Sequence, residues 1–332
     1  MRQRPPSDLD IVDFLQIFGS TTSCSNYLGI SQSSCSRRYR SFSAEFNLGI
    51  ARVNGGYQAT SNGDILDSLR QTAQKLRLQR GQFRYVLAWP CGEMGNNLQH
   101  HFPNASPIPI APMGCHGLLT LLDLRLVDLV ICGLMELQGL LPQPLTDLDG
   151  KRLSLTATVH ALPLCRWELR LMAHHQHPLA KRNDLQPSDL QIYPSPALPL
   201  GTAPHLMQQL THRGLGTSSS RLELHTLKHW EAAAADGQSL SYAAPHQLQL
   251  LKQDFGLIPL PHPLGIHETL GLIAQSATLQ LASPMLELLR ATLRQHPQAD
   301  CDGMEWLAND HLAASEDQGS QAPAGTTSAP AG

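Results

Sequence analysis

The chain has 332 residues, too many for one ordinary domain and enough for roughly two. Its composition of 42% hydrophobic and 15% charged residues leaves ample material for a buried core, and no apolar run reaches the ~20 residues a bilayer-spanning helix needs. The opening MRQRPPSDLD lacks the apolar stretch and cleavage site of a secretory signal, so a cytoplasmic location without membrane partners is expected. The formal charge of -3 hides an asymmetry. Residues 1–84 hold eleven Arg/Lys against six Asp/Glu, a net of +5, which leaves 13 against 21, a net of -8, for the rest. A basic head on an acidic body points to an anionic partner for the head.

In chain order, DLDIVDFLQIF (8–18) spaces Leu9, Ile11, Val12, Phe14, Leu15 and Phe18 as a helix, with Ser7 as its N-cap. A short helical segment around Ser23–Leu28 follows, then a break at Gly29-Ile30, then a helix from Ser31 to about Phe42. Helix, short helix, tight turn, helix is the helix-turn-helix arrangement. Asn54-Gly55-Gly56, between two segments of strand character in 51–60, predicts a hairpin or wing. A polar helix from about Asn62 to Arg80 carries a narrow stripe of Ile65, Leu66, Leu69, Ala73 and Leu76, as in a helix that pairs with another helix.

From Phe83 the pattern changes to strands alternating with helices, which implies a parallel sheet covered by helices. Strands are expected at Arg84–Trp89, Ser106–Pro112, Asp128–Cys132, Leu169–Ala173, Leu190–Tyr193, Leu222–Leu227 and Leu257–Leu260. Helices are expected at His116–Leu124, Pro204–His212 and Ser283–Gln295, and residues 314–332 are expected to be disordered. The seven cysteines (Cys24, Cys35, Cys91, Cys115, Cys132, Cys165, Cys301) are odd in number with no Cys-x-x-Cys pair, which argues against a disulfide framework or a zinc ribbon. The histidine clusters His100-His101 and His174-His175-Gln176-His177 lack accompanying ligand spacing, so no metal and no cofactor is expected. None of the common catalytic motifs is present, so no catalytic residue is assigned and the chain is read as a non-enzyme.

Residues Ser20 to Gly63 resemble the N-terminal winged helix of the LysR-type regulators. Ser20, the small Cys24-Ser25, the gapless Leu28-Gly29-Ile30-Ser31-Gln32, and Ser36-Arg37 follow the family's order and spacing. Ala59-Thr60-Ser61-Asn62-Gly63 is similar to the family's Leu-Thr-x-x-Gly at the end of the wing. Further along, His177-Pro178-Leu179-Ala180, Val127-Asp128-Leu129-Val130-Ile131 and Phe255-Gly256-Leu257-Ile258-Pro259 are similar to shorter motifs of the family's effector domain, with Leu126 or Val127 where Gly is usual. The sequence departs from the family at Phe42-Ser43, where Leu-Glu is usual, and at Phe46-Asn47, and its wing is about one residue short and poor in basic residues.

The resemblance implies an α/β chain with a winged helix-turn-helix (1–62), a linker dimerisation helix (63–82) and an effector-binding domain (83–312). That domain would have two lobes like a periplasmic binding protein, lobe one at 83–167 and 263–312 and lobe two at 168–262, with two crossing strands as hinge. A dimer or tetramer would then present its heads to double-stranded DNA. A recognition helix offers its first turns to base edges, where short polar side chains and Gln can bond. The DNA-facing candidates are Ser31, Gln32, Ser33, Ser34, Ser36, Arg37, Arg38, Arg40 and Arg52, the arginines serving as phosphate anchors. Out of this context the same serines would only cap a helix and the arginines would form a solvated face. Cys24-Ser25 reads as a close helix crossing rather than a redox centre.

For a small-molecule effector, the candidates are Cys91, Gly92 and Glu93 after the first body strand, with Ser195 and Thr202 from the other lobe. Thr202 precedes a helix start, where free N–H groups attract anions. Two other readings stay open at this point. One is a ligand-binding α/β protein whose degenerate head no longer binds DNA; the other is an α/β enzyme with a helical extension.

Overall fold

The computed structural model describes residues 7–53, 55–88, 98–110, 113–148, 151–196, 198, 201–218, 232–295 and 301–307. The expected strand Leu222–Leu227 and the expected disordered tail lie outside them.

Three serine caps set the head. Helix α1 (Asp8–Phe18) starts with a capping box between Ser7 and Asp10. Helices α2 (Thr21–Leu28) and α3 (Gln32–Glu45) start at Ser20 and Ser31, whose side chains accept from Ser23 N and Ser34 N. Each serine satisfies an amide that the helix itself leaves without a partner. The turn between α2 and α3 needs Gly29 at φ 64°, a left-handed conformation that costs glycine little. Strands β1 (Gly49–Val53) and β2 (Gly56–Ser61) form the antiparallel wing. Asn62, itself left-handed at φ 54°, ties the wing's end to Asn47 by donating Nδ2–H to its carbonyl at 2.7 Å.

Helix α1 is buried on both sides. Val12 joins Phe42, Leu48 and Leu66 in the head's own core, while Ile11, Phe14 and Leu15 belong to the core that continues into the body. Cys24 and Cys35 meet where α2 crosses α3, with Sγ atoms 3.6 Å apart and both side chains fully buried. Cys24-Ser25 thus provides the close helix contact read from the sequence.

Helix α4 (Gly63–Gln79) has two faces where one stripe was expected. Leu66, Arg70, Gln74 and Leu78, four residues apart, are buried against the rest of the chain. Ile65 and Leu76 stay exposed, at 37% and 45%. The inward face was illegible as a stripe because two of its four residues are polar and find buried partners.

In the body, β3 (Phe83–Leu87), α5 (Leu98–His101), β4 (Ala105–Pro107), α6 (Cys115–Asp123) and β5 (Leu129–Gly133) alternate; α5 was not among the expected helices, the strand expected at Ser106–Pro112 leaves the sheet after Pro107, and β3 pairs parallel with both β4 and β5. After β6 (Leu153–Ser154) comes β7 (Val159–His174), far longer than the Leu169–Ala173 segment expected. Next are α7 (Pro187–Leu190), β8 (Pro194–Pro196), α8 (Pro204–His212), β9 (Gly216–Ser218), β10 (Leu240–Ala243) and α9 (Leu248–Phe255). Strand β11 (Leu257–Gln275) continues the expected Leu257–Leu260 through 19 residues, followed by α10 (Ser276–Leu281), α11 (Ser283–Arg294) and β12 (Met304–Trp306).

The large sheet runs β10-β7-β11-β5-β3-β4, with β6 and β12 also on β7. It is mixed, because β7 and β11 pair antiparallel with each other, β11 with β5, and β10 with β7. These two long strands span both ends of the body. One end carries β5 against Leu270–Ala274; the other carries β10 against Arg170–Ala173. The β7–β11 register is irregular between Pro259 and Pro263 and again between Pro263 and His267. A small parallel sheet of β8 and β9 lies apart.

The expected strand Leu190–Tyr193 is not one. Gln186 and Asp189 close a capping box around Pro187, so the chain makes a helical turn there and extends only at Pro194. The His177-Pro178-Leu179-Ala180 motif is a 3₁₀ turn in which His177 Nδ1 accepts from Leu179 N. Among the described residues, no helix is long and apolar enough to cross a membrane and no group of three side chains could hold a metal ion.

Candidate nucleic-acid interface and interlobe site

Helix α3 presents Gln32, Ser33, Arg37, Arg40 and Ser41 to solvent, with Ser34 and Ser36 half-buried beside them. Ser31 caps the helix and lies 3.1 Å from Ser33 Oγ. Gln32 leans on α2, donating Nε2–H to Thr21 Oγ1 at 3.1 Å. The arginines divide by partner. Arg37 and Arg40 face outward, Arg40 lying against the Tyr39 ring at 5.8 Å. Arg38 turns back to α1 and pairs with Asp8 at 2.5 Å. On the wing, Arg52 is exposed and donates Nε–H to Gly55 O.

Much of the positive charge counted in residues 1–84 is therefore structural. Asp13, 1% exposed, takes Arg70 Nε at 2.8 Å and Arg84 Nη1 at 2.7 Å. Arg84 also pairs with Asp10, and Arg70 with the Gln16 amide. Burial opposes the charge on Arg84, but Asp13 and Asp10 outweigh it and raise its pKa. Burial likewise opposes the charge on Asp10, and Arg84 overcomes that, so the Asp10 pKa is lowered. Arg84 is in β3, Asp10 and Asp13 in α1, Arg70 in α4; one buried network joins head, linker and body. Asp128, fully buried before β5, extends it by accepting from Gln74, Arg77 and Arg84 N. Tyr27 of α2 adds a bond to Pro107 O in β4 at 3.1 Å.

Of the effector candidates, Cys91, Gly92 and Glu93 fall outside the described residues. Ser195 is fully buried in β8, and its Oγ has no hydrogen-bond partner. Thr202 lies beside Gly201, just ahead of α8. The amides at that helix start are occupied. Ala203 offers no capping oxygen and Pro204 has no N–H, and the first two amides, His205 N and Leu206 N, donate to the two oxygens of Glu136 at 3.1 and 2.9 Å. Glu136 belongs to the 3₁₀ turn Met135–Leu140 that follows β5. The carboxylate thus serves as an N-cap supplied from a distant segment, worth about 0.5–2 kcal/mol. Nearby, Gly114 comes so close to Gly201 that an added Cβ would lie 2.6 Å from its carbonyl oxygen.

Beneath Glu136, Glu268 of β11 is buried and accepts from Met135 N and Thr269 N. Burial pushes its pKa up to about 8; the two amide bonds oppose this and the Glu136 charge adds to it. Burial first, and Glu136 second, also raise the pKa values of Cys115 and Tyr242. Sequence reasoning missed Glu136, Glu268, Gly114 and Gly201. The one local signal was α8 itself, a helix that begins Ala-Pro and so lacks a cap of its own.

No protein-family model matches the sequence, and no curated protein matches it. Solved structures do. A full-length OxyR from Pseudomonas aeruginosa superimposes with a TM-score of 0.51 at 15% identity, covering 90% of this chain and 97% of that one. A probable transcriptional regulator from the same species gives 0.51 at 16% identity, over 86% of this chain and 95% of that one. ArgP from Mycobacterium tuberculosis gives 0.51 at 14% identity, over 88% and 98%. Near-complete coverage of each of those chains means that head and body are matched together. The chain has the fold of the LysR-type regulators, a winged helix-turn-helix head followed by a two-lobed regulatory domain.

Proposed function

We propose that the chain is a DNA-binding transcription regulator of the cytoplasm, switched by a small molecule held between the two lobes of its effector domain. The observation that carries this reading is the outward face of α3, where Gln32 and Ser33 stand in the first turn and Arg37 and Arg40 one and two turns later. The head would comprise residues 1–62, the linker helix 63–82, and the effector domain 83–312, with 168–262 as lobe two. Base-edge contacts then fall to Gln32, Ser33 and Ser36, phosphate contacts to Arg37, Arg40 and Arg52. Arg38, which turns back to Asp8, is assigned no phosphate contact.

The test separates base reading from phosphate anchoring on a duplex selected from a random library and on its scrambled version. Gln32→Ala is expected to lose about 1–3 kcal/mol on the selected duplex and little on the scrambled one. Arg37→Ala and Arg40→Ala are expected to weaken both alike and to lower the salt slope by about one each, whereas Arg38→Ala leaves the slope unchanged. If none of these substitutions alters binding, the head does not read DNA.

The same reading makes the protein a homodimer or homotetramer, since a two-fold DNA site calls for paired heads. The exposed Ile65 and Leu76 of α4 are the contact proposed. Light scattering at micromolar concentration is expected to give at least a dimer, and Ile65→Glu with Leu76→Glu a smaller species. A wild-type monomer would overturn the assignment.

A further inference from the structure

The contact between Glu136 and α8 crosses from the β5 end of the body to the segment that packs on β8 and β9. Two independent observations define it. Helix α8 has no capping group of its own, and both carboxylate oxygens of Glu136 are spent on its first two amides. Gly114 and Gly201 touch backbone to backbone at the same junction. The backbone at Gly114 (φ -70°, ψ 166°) suits any residue, so glycine is required there for space rather than conformation.

We propose that Glu136 is an internal latch, a tethered carboxylate that holds the two lobes together. It rests on the regulatory reading above for its purpose and on the geometry alone for its existence. The latch also defines what can release it. A ligand that takes the place of Glu136 brings two acceptor oxygens to the same pair of amides, and in chemical class it is a carboxylate. The effector then acts by substitution for a group already bound, not by filling vacant N–H groups as the sequence around Thr202 had implied.

Hydrogen exchange of the full-length protein, read by mass spectrometry on peptides spanning 201–215, tests this. Glu136→Ala is expected to speed exchange at the start of α8 by roughly 2- to 30-fold, the loss of one cap. Millimolar acetate, which restores the deleted carboxylate arm, is expected to slow it again; acetamide, equal in shape but uncharged, is not. Gly114→Ala is expected to speed exchange with Glu136 still in place, and acetate does not reverse it. Glu136→Gln, which keeps one acceptor oxygen, falls between and serves if the alanine variant folds poorly. Wild-type exchange rates in Glu136→Ala, or equal recovery with acetamide, would overturn the proposal. A parallel DNA titration keeps the two readings apart. Loss of the latch with DNA binding intact removes this inference alone, and failure to bind DNA leaves the exchange result standing.

Discussion

Replacing Asp13 by alanine is expected to destabilise the protein by about 3–5 kcal/mol, the usual result of leaving buried charge without its counter-ion. Asp13 is 1% exposed between Arg70 at 2% and the Arg84 side chain at 5%, and those two guanidiniums come from segments 57 and 71 residues away. Without the acid, two positive groups remain where water cannot reach them. Asp8→Ala is the control. Its ion pair with Arg38 is solvent-exposed, at 42% and 31%, and such pairs contribute about 0–1 kcal/mol. Urea unfolding followed by circular dichroism measures both. Restoration comes from removing charge rather than adding it, so Asp13→Leu with Arg70→Met and Arg84→Met is expected to recover most of the loss. A cost for Asp13→Ala no larger than that for Asp8→Ala would mean that the network does not join head and body energetically.

A second large effect belongs to pH. Glu268 holds its proton up to about pH 8 in the folded chain, while in the unfolded chain it loses it near the ordinary carboxyl value of 4.5. Between those values the folded state binds more protons than the unfolded one, so stability falls as pH rises through the window and stops falling above it. At ~1.4 kcal/mol per unit, the fall attributable to this group is at most about 5 kcal/mol. Glu268→Gln abolishes that titration while retaining an oxygen to accept from Met135 N and Thr269 N. The variant is expected to gain on the wild type steadily from pH 5 to 8 in urea unfolding. Parallel stability curves for the two proteins would show that Glu268 is ionised in the folded state throughout.

The head was legible in the sequence because its determinants are local. Ser7, Ser20 and Ser31 stand three residues before the amides they cap, and Gly19 and Gly29 mark where α1 and α2 stop. The body was legible where apolar runs are short and bounded, as at Leu129–Gly133, and where proline opens a helix, as at Pro204. What remained hidden depends on partners far along the chain. Asp13 interrupts an otherwise apolar run and reads as a surface residue, yet it is as buried as its neighbours because Arg70 and Arg84 fold back on it. Arg38 carries the same local signature as Arg37 and Arg40, and only the position of Asp8 distinguishes it. Glu136 shows nothing in sequence of the helix it caps some 70 residues later.

The uneven pairing of β7 with β11 has a mechanical consequence. From Pro259 to His267, β11 takes eight residue steps to pass the four steps of β7 from Met172 to Glu168. Pro259, Pro261 and Pro263 have no N–H to give to the ladder. About four residues of chain, roughly 13 Å if drawn straight, are therefore surplus on β11 over this stretch. The two ends of the large sheet, one built on β5 and the other on β10, are thus joined across the least regular part of the β7–β11 pairing, where extra chain replaces a continuous ladder.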